Sequence, residues 1–143
     1  MKLTYDDLHA EQACDAELEQ FKLLWPEGME LNEENIYRSI AAELSWSWAV
    51  SAFLSAEVFA QLNDQMSAIY QKYCTETEKE WQEYIRDWQF TNSNEERIHI
   101  VDTYHTMIAP AVLRRNRAYA KIIWQACQEP GALKNLKGLR SKT

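Results

Sequence analysis

At 143 residues, with 46% hydrophobic and 26% charged side chains, the chain has room for one domain with a real core and excludes a disordered polymer. Only 3 Gly and 3 Pro punctuate it, which argues against a turn-rich β-sandwich and for long helices with few breaks. The net charge of −7, three widely spaced cysteines and no apolar run near the roughly 20 residues of a membrane span point to a cytoplasmic protein without a disulfide framework.

The elements follow in chain order. Thr4-Tyr5-Asp6-Asp7 fits the capping-box pattern, in which a hydroxyl and a carboxylate satisfy each other's exposed amides, and predicts a short helix through Leu8. A restart near Asp15 carries Leu18, Phe21 and Leu24/Trp25 at helical spacing, and Trp25-Pro26-Glu27-Gly28 closes it as a turn. Asn32 is the next N-cap, with Glu33 and Glu34 suited to the helix dipole, and Ile36, Ile40 and Leu44 form one face. The stretch Leu44 to Leu54 alternates at first but returns to helical spacing, so it reads as helix throughout.

Ser55 caps the longest helix, from about Ala56 to Trp88, whose stripe runs through Phe59, Leu62, Met66, Ile69/Tyr70, Tyr73, Thr77, Trp81, Tyr84/Ile85 and Trp88. A second capping box, Ser93-Asn94-Glu95-Glu96, opens the last helical region, with Ile98, Val101, His105 and Ile108 on the expected inner face. Pro110 lacks an N–H and is expected either to kink that helix or to open a new one. Glu129-Pro130-Gly131 is a hard stop. The expected architecture is therefore all-α: a single-domain helical bundle of five or six helices with one long central helix, spanning 1–131, followed by a basic C-terminal tail, 132–143.

Charge is unevenly distributed. Met1 to Glu96 holds twenty acids against six bases, whereas Arg97 to Thr143 holds nine bases against two acids. Two outcomes fit: the basic region packs on the acidic body, or it meets a polyanion. The nucleic-acid alternative would use Arg114, Arg115, Arg117, Lys121, Lys134, Lys137 and Arg140. The acidic, aromatic part suggests a protein partner instead, met by Asp6, Asp7, Glu11, Glu33, Glu34, Trp81, Tyr84 and Trp88. So long an aromatic stripe also suggests a homo-oligomer.

Catalytic patterns are weak. Glu96-x-x-His99 and Asp102-x-x-His105 have the spacing of metal-ligand pairs, but a di-metal bundle needs such pairs on two different helices. A helical metal-dependent enzyme is therefore the second alternative, and no metal or cofactor is expected. No glycine-bracketed serine and no phosphate loop occurs.

Leu8-His-Ala10, Ala13-Cys14, Phe21, Trp25-Pro26-x-Gly28, Asn35 and Trp46-x-Trp48-Ala49 resemble the opening of small phage- and prophage-encoded helical proteins of unknown function. Tyr104-His-Thr-Met-Ile-Ala-Pro-Ala111 is similar to a segment in the same proteins. This chain departs from them in lacking repeats after Ala111. The resemblance implies a mobile-element accessory protein acting in a host cytoplasm, and carries over no catalytic residue. The expected function is a non-enzymatic protein-interaction module that binds and modulates or inhibits a host protein.

Overall fold

The computed structural model describes residues 1–136, and within them the protein is all-α apart from one two-stranded ribbon. Six helices follow in order: α1 Tyr5–Ala10, α2 Asp15–Leu24, α3 Glu33–Ala41, α4 Trp46–Phe53, α5 Ala56–Gln89 and α6 Asn94–Gln128. The sequence-predicted N-caps are present, but at Ser93 only the bond from the Glu96 amide is formed rather than the full box expected there. Thr4 and Asp7 form the full capping box of α1, and Asn32, Ser55 and Ser93 accept from the third backbone amide of α3, α5 and α6.

Strands β1 (Lys2–Leu3) and β2 (Met29–Glu30) pair antiparallel and were not anticipated, because two-residue strands carry no periodic signal. Gly28 makes the ribbon's return possible. Its φ is +90°, and a Cβ there would sit 3.2 Å from the Leu3 carbonyl oxygen.

The expected single helix through Leu44 is instead two. Glu43 adopts a positive φ of 63°, and the turn separates α3 from α4. That break lets the Trp46 indole N–H reach back and donate to Ser39 Oγ at 2.6 Å, while Ser39 donates to the Ile36 carbonyl at 2.7 Å. A buried hydroxyl is thereby satisfied on both sides. Pro110, expected to kink or restart α6, lies within one continuous 35-residue helix; its ring sits on an exposed face.

Two buried clusters meet at Trp46, Trp124 and Leu133, which pack against both. One gathers Leu8, Leu18, Phe21, Trp25 and Met29; the other joins Ile36, Val50, Leu54 and Leu62 to Ala120 and Ile123 of α6. The segment after Gly131, expected as a tail, enters this core as far as it is described. Ala132 and Leu136 are each 1% exposed, Leu133 bridges Leu54, and the Lys134 amide donates to the Phe53 carbonyl at 2.8 Å. The apolar residues of that segment fill space under α4, so the compact unit extends at least to Leu136. Lys137 and Arg140 lie outside the described residues.

The long helices α5 and α6 pack antiparallel along their length, each about 50 Å from end to end at 1.5 Å per residue. The body (α1–α4, the ribbon and the final segment) covers only the half that contains the start of α5 and the end of α6. Beyond it the two helices run on as an arm, joined at the tip by Phe90–Ser93.

Candidate functional site

The arm has two unlike faces, and helical spacing separates them. On α5, Tyr70, Cys74, Thr77, Trp81, Ile85 and Trp88 step by three or four residues and form one stripe. On α6, Ile98, Val101, His105, Ala109 and Val112 do the same. Neither stripe carries an acid or a lysine. The opposite face is charged: Glu80, Glu83, Asp87 and His99 line one cleft between the helices, and Lys72, Glu76, Arg114 and Arg115 line the next.

The α6 stripe continues toward the body through Asn116, Ala120 and Ile123, all buried, where α3 packs on it. Past Asn116 that cover stops. The result is visible in exposure: Ile98 is 62% exposed, Tyr70 55%, Trp81 43% and Trp88 39%, with Phe90 at the tip 81% exposed. Two helices packed alone can bury one seam each and no more.

That seam holds an aromatic ladder. Tyr84 and Tyr104 face each other across the helices at 4.7 Å between ring centroids, Trp81 lies 5.5 Å from Tyr84 and 5.9 Å from Tyr104, and Trp88 lies 5.9 Å from Tyr84. Burial, then the neighbouring tyrosines Tyr73 and Tyr84 and the carboxylate of Glu80, raise the Tyr104 hydroxyl above its ordinary range. Arg97 stacks its guanidinium 5.2 Å from the Trp88 ring and donates to the Thr91 carbonyl, closing the tip. The outcome is a half-exposed ladder of rings along the seam.

The sequence-predicted residues sort into three places. Trp81, Tyr84 and Trp88 stand together on the arm. Asp6 and Asp7 belong to α1, Glu11 caps its C-terminal end, and Glu33 and Glu34 belong to the first turn of α3, so the acids do not share the aromatic surface. Asp7 is buried, its Oδ2 accepting from the Thr4 amide at 2.9 Å and the Thr4 hydroxyl at 2.7 Å. Glu34 accepts from Arg117 at 2.8 Å.

Of the arginines expected to meet nucleic acid, the three described ones, Arg114, Arg115 and Arg117, hold the fold's own acids and rings. Arg117 reaches Glu34 and lies 3.4 Å from the Tyr37 ring centroid; the Glu34 hydrogen bond raises its already high pKa further. Arg114 pairs with Glu76 at 3.3 Å, and Arg115 sits 4.5 Å over Tyr73 while bonding Asn116. Arg114 and Arg117 thus pair with acids of the same molecule, while Lys121 and Lys134 are exposed.

His99 and His105, with Glu96 and Asp102, are exposed on α6. His105 was expected inside together with Ile98. The true inner face is Arg97, Tyr104, Ile108 and Ala111, rotated by about a sixth of a turn, with half-buried Val101 on the border between the two faces. Among the described residues no group of three or more His, Cys, Asp or Glu side chains could hold a metal ion, and no helix is long and apolar enough to cross a membrane. Ile98 and Val101 of the outer stripe were expected inside, and Val112 carried no signal, because α6 has two apolar stripes side by side. No family model matches the chain, nor does any curated protein or solved structure.

Proposed function

We propose that this chain is a non-enzymatic protein-interaction module whose docking surface is the apolar face of the α5–α6 arm, in the manner of a phage accessory factor that binds and modulates a host protein. The observation that supports it most is the stripe of Tyr70, Trp81, Trp88 and Ile98, left open where the α3 cover ends although the same α6 stripe is buried at Ala120 and Ile123. Aromatic side chains that are fixed by their neighbours lose little freedom on binding and bring large contact area, which is why they dominate interface energetics. The phage setting is carried by the resemblance of the N-terminal third and the Ala109-Pro110-Ala111 segment.

The test is co-purification of the tagged protein from a bacterial host, with nuclease, followed by mass spectrometry. A stoichiometric protein partner is expected, and truncating Trp81 and Trp88 to alanine should reduce its recovery at least about tenfold, since anchors of this kind cost roughly 2 kcal/mol or more each. Recovery that is indifferent to both substitutions would reject the arm as the docking surface.

A further inference from the structure

We infer that the occupant of the arm's apolar face is a second copy of this chain, laid antiparallel so that two arms form a four-helix bundle. This rests on the docking role of the arm proposed above: the paired arms are then the unit that meets the host protein, so breaking the pair also loses that partner.

Three observations lead there. The first is self-complementarity. Both stripes of the face are free of acids, lysines and arginines and, Thr77 and His105 apart, apolar or aromatic, so a second identical face meets it without burying an unpaired carboxylate or ammonium. The second is size. The uncovered stretch, from about Tyr70 to the tip and back to Val112, is roughly 30 Å long, and two helices side by side make it about 20 Å wide. That flat footprint of about 600 Å² is within the range of specific interfaces, whose standard size is ~800 Å² per partner.

The third fixes the direction. The distal arm, residues 76–102, holds eight acids against three bases, Lys79, Arg86 and Arg97. The proximal part, residues 66–75 and 103–121, holds Lys72, Arg114, Arg115, Arg117 and Lys121 with no acid; Lys72 and Arg114 pair with Glu76 and Arg117 with Glu34, which leaves Arg115 and Lys121 as its surplus. A parallel pair would set acidic tip against acidic tip. An antiparallel pair lays each acidic tip along the basic base of the other copy, and its two-fold axis passes near Trp81.

Light scattering on the full chain, across a concentration series and at two salt concentrations, decides the matter. The expected particle has twice the 16.8 kDa of the monomer. Ile98→Asp places a carboxylate on the face at a side chain already 62% exposed, so it leaves helicity unchanged and weakens the dimer by about a hundredfold, counting both symmetric sites. Leu23→Asp, at an 83% exposed position on α2, leaves the dimer intact. Added salt loosens an antiparallel pair by screening opposed charges, and tightens a parallel one. A dimer that tightens with salt, or that survives Ile98→Asp, overturns this assignment.

A monomer at every concentration also overturns it, and co-purification then separates the two levels. A monomer whose host partner is lost with Ile98→Asp keeps the arm as a docking surface and replaces the second copy by that partner. A monomer with no such partner removes both.

Discussion

Cys127 illustrates how a single side chain reports on its surroundings. It packs against the cluster of Ile36, Val50 and Ile123, and burial pushes its thiol from the ordinary 9.0 up to about 11. The unfolded thiol ionises first, so between those two values the unfolded chain has shed a proton that the folded one keeps. Stability is therefore full below about pH 9 and falls as pH rises toward 11, by on the order of 2 kcal/mol for this group. Urea melts of wild type and Cys127→Ala at successive pH values isolate the contribution; the difference in slope should vanish below pH 9. Tyr104 and Tyr119, raised chiefly by burial, push in the same direction and remain in both proteins. At the same scale, Asp7 and Arg117 show why residue type alone misleads. Each belongs to a charge run that suggests a partner, yet one is a cap and the other a clamp between α6 and α3.

At the scale of elements, caps were legible and registers were not. Thr4, Asn32, Ser55 and Ser93 mark helix starts because a short polar side chain beside an exposed amide is a local event, readable within four residues. The break at Glu43 depends on Trp46 reaching Ser39, seven residues back, and no local pattern shows that. The inner face of α6 was misplaced because Ile98 and His105 continue a stripe that the body covers only at its other end.

The arm also carries a flaw of its own. Glu80 stands at a seam position between Tyr84 and Tyr104, and its Oε2 is buried with no partner among the described residues. A carboxylate oxygen so placed lowers the stability of the seam it occupies. Glu80→Leu should stabilise the protein by about 1 kcal/mol, raising Tm by roughly 3–5 °C in calorimetry. A fall instead would mean that the carboxylate is satisfied in solution and holds the ladder in place.

For the molecule as a whole, closure of the body depends on its last described residues. Leu136 is 1% exposed and packs in the same cluster as Phe21, Trp25 and Phe53, while the Asn135 side chain donates to the Ala52 carbonyl and the Ser55 amide to the Ala132 carbonyl. These bonds stitch residues 132–136 across the joint between α4 and α5, the point from which the arm departs. The sequence shows leucines spaced by three among lysines there, a pattern shared by a frayed helix and by a packed strap, and only the cavity under α4 selects the strap. Leu136→Ala removes a fully buried side chain and should cost roughly 2–5 kcal/mol in chemical denaturation, a large fraction of the stability of a domain this size. The arm's own α5–α6 seam does not contact this site, so hydrogen exchange should show lost protection concentrated in α2 and α4, with Tyr84–Tyr104 pairing less affected. Equal loss everywhere would make body and arm one cooperative unit, with the strap as its keystone.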